Sequence, residues 1–173
     1  GEKLPITQKD IKHTGHSIEC RINAENPDNN FIPSPGTIVK YIVPGGIGVR
    51  VDSAVYQDYS IKPFYDSMIA KLIVHGINRN EATLRMKRAL GEYIIQGVHT
   101  TIPFHLKVLD DKTFKKGEID TTFITRKGII DKLIKEGEEH KIEMTRIAAV
   151  VSAALAQSNE RMANYLKANK KTD

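Results

Sequence analysis

The stretch "GHSIECRINAENP", Gly15 to Pro27, has the pattern of a β-strand with two different faces. Side chains alternate along a strand, so one face carries only small or apolar groups: Ile18, Cys20, Ile22 and Ala24. The other face is polar: Ser17, Glu19, Arg21, Asn23 and Glu25. The apolar face predicts packing against a core. The polar face is typical either of solvated surface or of one wall of a site, and the alternation alone leaves both open.

Length and composition predict a globular chain. With 173 residues and 40% apolar content it can bury a core of its own. It has no run of about 18 apolar residues, and its start, "GEKLPITQKD", has no hydrophobic signal segment, so neither membrane spanning nor secretion is indicated. A single cysteine cannot form an internal disulfide, which favours the cytoplasm, with Cys20 as a small buried hydrophobe.

The net charge of +5 permits attraction to nucleic acid or other polyanions. The lysines and arginines are scattered, however, and the chain has no tryptophan to act as a stacking platform. Nucleic-acid binding is therefore not favoured, and salt-dependent binding of arbitrary RNA would be its sign.

Three further segments predict strands. "TIVKYIV" (37–43) and "VRVDSAV" (49–55) flank "PGGIG" (44–48), which we interpret as a hairpin turn because it lacks GxGxxG spacing and a following helix. "YDSMIAKLIVHG" (65–76) is apolar on both alternating faces, which predicts a central strand covered on both sides.

The rest of the chain is predicted to be mostly helical. Residues 78–97 have helical spacing, with Asn78 and Glu81 as a capping pair and Gly97 as the stop. A second helix begins after Thr101. From residue 125 we predict a short helix over 128–135, a break at Gly137 and a long amphipathic helix to about residue 166, whose apolar stripe is typical of a docking face.

The residues themselves offer little chemistry. There is no CxxC, HxxxH or HExxH motif for a metal and no GxSxG nucleophile motif. Two charged residues on strands remain, Arg21 and Asp66. A guanidinium binds carboxylate, bicarbonate or phosphate through two hydrogen bonds, and an aspartate can hold its rotamer. From the residues alone, an ordinary surface ion pair, or no contact at all, is the favoured interpretation of these two residues.

Six motifs in order resemble the C-terminal domain of biotin carboxylase, the ATP-grasp ligase of biotin-dependent carboxylases: "GHSIECRINAENP", "FIPSPGTI", "PGGIGVRVDS", "YDSMIAKLIVHG", "NRNEATLRMKRAL" and "TTFI". The resemblance covers residues 15–124 and implies an α+β fold, an antiparallel sheet with flanking helices. Residues 1–14 resemble the linker from an upstream ATP-grasp region, and 125–173 form a helical C-terminal extension.

The family uses ATP to activate bicarbonate as carboxyphosphate and then carboxylates N1 of biotin on a carrier protein. The resemblance implies that Arg21 is catalytic and stabilises negative charge on the biotin enolate or carboxyphosphate. We expect Glu19 and Asp66 to support Arg21, and the resemblance places Thr121 near the adenine pocket.

The resemblance also implies a dimer contact at Ile47 and Arg50, although an aromatic residue is common in the family where Ile47 stands. ATP, Mg and biotin are implied for the full enzyme. The ATP-grasp lysines, the glycine-rich loop, the metal-binding carboxylates and the bicarbonate-binding motif lie upstream in the family. We therefore expect no cofactor or metal on this chain alone and no turnover by it.

The implied partners are a biotin carboxyl carrier protein or domain and a carboxyltransferase subunit, with a homodimer possible and neither nucleic acid nor membrane expected. The final acceptor is left open among acetyl-CoA, as in fatty acid biosynthesis, propionyl-CoA and pyruvate. The alternative function is a non-catalytic dimerisation or carrier-docking module.

Overall fold

In the computed structural model of the chain, the backbone is described for residues 1–169 and the side chains for residues 1–162. Within that backbone the strands are β1 (His16–Asn23), β2 (Glu25–Asn26), β3 (Ile32–Pro33), β4 (Gly36–Thr37), β5 (Lys40–Ile42), β6 (Val49–Ser53), β7 (Ser60–Ile61), β8 (Met68–Gly76) and β9 (Ile94–Gln96). The helices are α1 (Arg79–Glu92), α2 (Ile102–Asp110), α3 (Lys112–Lys116), α4 (Phe123–Lys127) and α5 (Ile129–Asn169). One compact unit comprises Gly1–Leu133, and a second begins at Ile134.

The main sheet is antiparallel and has the order β1-β8-β6. Arg21 on β1 lies opposite Lys71 on β8, which in turn lies opposite Asp52 on β6. Two-stranded antiparallel pairs join β2 to β3, β4 to β7 and β5 to β9. The predicted α+β class, an antiparallel sheet with flanking helices, is confirmed, as is the central position of β8.

Helix α1 covers the apolar face of the main sheet. The sheet contributes Cys20, Ile22, Leu72 and Val74 to this core, and α1 contributes Ala82, Met86, Ala89 and Leu90. Burying one large aliphatic side chain stabilises a fold by about 1.5–3 kcal/mol, so this layer is the main source of stability. The predicted apolar face of β1 is confirmed.

The first turn of α1 explains where this helix begins. The Asn78 side chain accepts a hydrogen bond from the Glu81 backbone N–H at 2.9 Å, and the Glu81 carboxylate accepts one from the Ile77 N–H at 2.6 Å. The predicted capping pair is therefore confirmed. The helix ends at Glu92 instead of Gly97, because the chain turns directly into β9.

Gly97 follows strand β9 and does not end a helix, so the prediction that it is the helix stop was wrong. Its φ is +104°, and a Cβ placed there would collide with the Thr37 carbonyl oxygen at the end of β4. The glycine permits close approach of two backbones at the end of β9.

The predicted hairpin at "PGGIG" is also wrong. Strand β5 pairs with β9, and β6 pairs with β8, so the two strands that flank the turn lie in different sheets. The "TIVKYIV" segment is divided between β4 and β5. Short apolar strands choose partners by tertiary packing, which a local turn motif does not reveal.

Two other expectations need correction. On the second face of β8, Ile69 is buried, but Lys71 and Ile73 are half-buried and His75 is exposed, so this face is only partly covered.

Helix α5 continues through Gly137 without a break. A helical glycine costs only about 1 kcal/mol relative to alanine, and the glutamates and lysines around Gly137 are good helix formers. No helix of the described residues is long and apolar enough to cross a bilayer.

The junction of β8 with α1 gives a stability prediction. A Cβ at Gly76 would lie 2.7 Å from the backbone nitrogen of Ala82, and neither backbone can yield easily. We expect Gly76→Ala to lower the free energy of unfolding by about 1–3 kcal/mol, measured by urea denaturation of this chain.

Gly91→Ala is the matched control. Gly91 lies in α1, and an added Cβ there would meet nothing within 4 Å, so the same substitution should stabilise by up to about 1 kcal/mol. Equal stability of Gly76→Ala and the wild type would contradict the close packing of β8 against α1.

The end of the compact unit gives a second prediction. The unit runs to Leu133, and Ile129 is only 2% exposed, although the family resemblance ends at Ile124. We expect a chain ending at Leu133 to melt cooperatively, near the midpoint of the full chain. A chain ending at Ile124 should be less stable by about 2–5 kcal/mol, the cost of deleting a large buried side chain. Equal melting of the two truncated chains would instead favour the boundary between 124 and 125.

Candidate functional site

Arg21 projects from the polar face of the main sheet. Its side chain is 69% exposed, whereas its neighbours Cys20 and Ile22 are buried beneath it. The burial of these two residues anchors the strand, so the Arg21 guanidinium is presented on the opposite side. The thiol of Cys20 is no nucleophile, because burial raises its pKa to about 12 and keeps it protonated.

The register of the sheet adds a second cation that sequence reasoning missed. Lys71 lies directly opposite Arg21 on β8. Like charges that face each other across two strands repel, and a bound anion would relieve that repulsion. A lysine within the apolar "MIAKLIV" is the signal that could have marked the position, but pairing it with Arg21 requires the register.

The third strand carries an ion pair on the same row. Arg50 donates to Asp52 through Nε at 2.7 Å and Nη2 at 2.9 Å. The hydrogen bond from Arg50 holds the pKa of Asp52 below its ordinary value, with a smaller contribution from Lys71. Arg50 thus has a carboxylate partner, whereas Arg21 lies across from a cation.

The two residues predicted to support Arg21 are placed differently. The Glu19 carboxylate lies 3.9 Å from Arg21 Nε, and both side chains are exposed, so the contact is a weak ion pair. Asp66 accepts a hydrogen bond from the Met68 backbone N–H at 2.7 Å and makes no ion pair with Arg21 within residues 1–162. The roles of both residues stay predictions.

A cleft of about 230 Å³ lies beside the end of β1, with Ala24, Pro33, Lys62, Asp66 and Ser67 among its lining residues. Its rim is braced by hydrogen bonds.

Hydrogen bonds at the rim of this cleft connect the end of β1 to Ser67. The Glu25 carboxylate accepts from Asn23 Nδ2 at 3.0 Å and from the Ser67 hydroxyl. The Ser67 carbonyl accepts from the Ala24 N–H at 2.7 Å. Asn23 Oδ1 is buried and has no partner among the described side chains. The cleft therefore reaches Ala24, which directly follows β1 and lies three residues beyond Arg21.

The outer edge of β1 is closed by the start of α2. Thr101 is only 5% exposed, and its hydroxyl accepts from the Asn23 N–H at 3.0 Å and donates to the Arg21 carbonyl at 3.1 Å. His105 Nε2 lies 2.8 Å from the same carbonyl. Sequence reasoning missed both residues, because only the folded chain brings them to a strand about 80 positions away.

The remaining predicted residues lie away from Arg21 in the chain and at the surface. Thr121 is exposed beside Asp120, whose carboxylate accepts from the Thr122 hydroxyl at 2.7 Å. Hydrogen bonds from Thr122 lower the pKa of Asp120. Ile47 is 93% exposed. The adenine and dimer roles of Thr121 and Ile47 stay predictions.

The side chains presented by β1 and β8 at Arg21 fit an anion. Among the described residues no three histidine, cysteine, aspartate or glutamate side chains cluster as metal ligands. Arg21 and Lys71 instead offer two cations on one face, which fits a bicarbonate, phosphate or enolate oxygen.

Residues 19–126 match the family model described as "Biotin carboxylase C-terminal domain". A pyruvate carboxylase subunit of Methanothermobacter thermautotrophicus is 54% identical over 166 residues, which cover 90% of this chain and 34% of that protein. Biotin carboxylase 1 of Bacillus subtilis is 60% identical over 124 residues, covering 72% of this chain and 28% of that protein. The chain thus spans about a third of the length of these relatives.

Among solved structures, the biotin carboxylase domain dimer of the Hydrogenobacter thermophilus 2-oxoglutarate carboxylase, in complex with MgADP, ADP and bicarbonate, superposes with a TM-score of 0.72. It is 48% identical, over 75% of this chain and 29% of that one. The family model covers more than half of the chain, and the fold agrees with the predicted class. The chain belongs to the biotin carboxylase C-terminal domain family.

Proposed function

We propose that the chain is the C-terminal part of a biotin carboxylase, an ATP-dependent carbon-nitrogen ligase that carboxylates carrier-bound biotin with bicarbonate. The observation that carries this proposal is the placement of Arg21 within the family domain. Its guanidinium stands on the open face of a strand whose other face is fixed in the core.

Arg21 would act on charge that develops during carboxyl transfer. A guanidinium held by a rigid strand needs little reorganisation when an enolate or carboxyphosphate oxygen becomes negative. Lys71, directly opposite, would strengthen the positive potential at that place. ATP and magnesium would be held by the upstream part of the full enzyme, which supplies the phosphoryl-transfer chemistry.

The extent of the matches supports pyruvate as the final acceptor over the acyl-CoA alternatives. The match to the pyruvate carboxylase of Methanothermobacter thermautotrophicus covers 90% of the chain, so it includes more than half of residues 125–173. The match to Bacillus subtilis biotin carboxylase 1 covers 72%.

The second candidate function is a docking module, and α5 is the observation that favours it. Several large apolar side chains of α5 are exposed within the chain: Ile142, Met144, Ile147, Val150, Val151, Leu155 and Met162. A docking role for the extension is compatible with catalysis by the full enzyme. As the sole function of the chain, it predicts that Arg21 has no effect on turnover.

We expect the chain alone to have no bicarbonate-dependent ATPase activity. Phosphoryl transfer requires bound metal and positioned phosphates, and the described residues include no metal-ligand cluster. Phosphate release by the purified chain with MgATP, with and without bicarbonate, is the measurement. Bicarbonate-dependent turnover that copurifies with the chain through several columns would contradict the proposal.

In the full-length enzyme, we expect Arg21→Gln to lower carboxylation of free biotin about a hundredfold or more, the range found for single preorganised donors. The KM for ATP should change little. Because the side chain is exposed, the melting temperature should also change little. Steady-state carboxylation kinetics are the measurement.

Arg146→Gln on α5 is the matched control, since it removes an exposed guanidinium from another part of the chain and should leave the rate unchanged. Carboxylation near the wild-type rate by Arg21→Gln would overturn the catalytic assignment and favour the docking module.

A further inference from the structure

We propose that His105, together with Thr101, is a positioning residue for Arg21, which it holds through the Arg21 backbone carbonyl. The inference rests on the proposed function, because it assigns these residues to the same reaction.

The contacts place both residues on one acceptor. Thr101 Oγ donates to the Arg21 carbonyl at 3.1 Å, and His105 Nε2 reaches it at 2.8 Å. Since a carbonyl can only accept, Nε2 carries the proton. Burial lowers the pKa of His105, and the Arg21 hydrogen bond opposes this only partly. The ring is therefore neutral near pH 7, with its proton on the nitrogen that faces Arg21.

The clamp is rigid because α2 supplies both donors. Thr101 is the N-cap of α2, and the His105 N–H donates to the Thr101 carbonyl at 3.1 Å, so the two side chains are joined by one helical turn. Thr101 is also tied to Asn23 in both directions, by its N–H and by its hydroxyl. The donors of Arg21 thus move with the helix as a unit.

Arg21 needs such a clamp because little else directs it. Its side chain makes one weak ion pair with Glu19, within the part of the chain whose side chains are described. Strand β1 is at the edge of its sheet, and its register with β8 shifts between Ile22 and Asn23, one residue beyond Arg21. A β-bulge allows a strand to bend and re-aim a side chain. The backbone at Arg21 therefore determines where the guanidinium points, and α2 fixes that backbone from the side that β8 leaves open.

The test compares two replacements of His105 in the full-length enzyme with free biotin. His105→Phe keeps a ring for packing but removes the donor, whereas His105→Gln keeps an N–H at a similar reach. We expect His105→Phe to lower kcat about tenfold, because a displacement of about 1 Å can cost up to a hundredfold. The KM for ATP should stay unchanged, and His105→Gln should recover most of the rate. His140→Ala on α5, an exposed histidine, should behave as the wild type.

A double-mutant cycle with Arg21→Gln distinguishes a role of His105 in positioning Arg21 from a role in the stability of the fold as a whole. If His105 acts through Arg21, His105→Phe should lower the rate no further once Arg21 is replaced. An equal loss in both backgrounds would overturn the inference, as would a wild-type kcat for His105→Phe or a failure of His105→Gln to recover activity.

If residual activity of Arg21→Gln is too low for the cycle, recovery by His105→Gln at a melting temperature equal to that of His105→Phe decides the matter. A wild-type rate for Arg21→Gln would instead reject the proposed function itself. A large effect of Arg21→Gln with none from His105→Phe would reject this inference alone.

Discussion

The antiparallel register between β1 and β8 is the constraint on which the remaining structure depends. It sets Cys20 opposite Leu72 on the face that α1 covers, and Arg21 opposite Lys71 on the other face. Because side chains on a strand alternate, a slip of β1 by one residue would turn its apolar side chains away from α1 and turn Arg21 toward the core. The core and the cationic face are therefore fixed by the same backbone pairing. The hydrophobic core selects the register, and the register places the charges.

Local patterns predicted the elements whose information is local. The alternation of Ile18, Cys20 and Ile22 predicted β1, and the spacing of Ala82, Met86 and Ala89 predicted α1 together with its buried face. These patterns suffice because each records the environment of one element along its whole length. Length strengthens this information, since β1 and β8 are eight and nine residues long and repeat their pattern several times.

Apart from the second face of β8, the features that were predicted wrongly are short strands or single glycines. Strands β5 and β9 have three residues each and pair across more than 50 positions, so tertiary packing decides their pairing. For Gly97 and Gly137, the sequence does not reveal which backbone conformation the glycine adopts. Gly97 permits a close approach of two backbones, whereas Gly137 lies inside α5, where its neighbours are good helix formers. A glycine is informative only when the backbone around it is known.

The residues of the candidate site also differ in whether local sequence or the tertiary structure reveals them. Arg21 could be selected from the sequence because both its strand face and the family motif mark it. Lys71 depends on the register, and His105 depends on how α2 meets the free edge of β1, so neither could be paired with Arg21 beforehand. The Asp66 carboxylate accepts a hydrogen bond from the Met68 backbone N–H, and its role as a support for Arg21 stays a prediction.

The free edge of β1 connects the fold with the chemistry proposed for it. An edge strand exposes backbone N–H and C=O groups, which need hydrogen-bond partners because unpaired ones can pair with another chain. Here the partners are the hydroxyl and backbone N–H of Thr101 and the ring of His105, all at the start of α2. A water-exposed edge would satisfy the same backbone groups but would leave β1 free to bend at its register shift. Closing the edge with a helix satisfies them and also holds the residue that carries the cation. The same contacts thus complete the hydrogen bonding of the sheet and limit the positions open to Arg21.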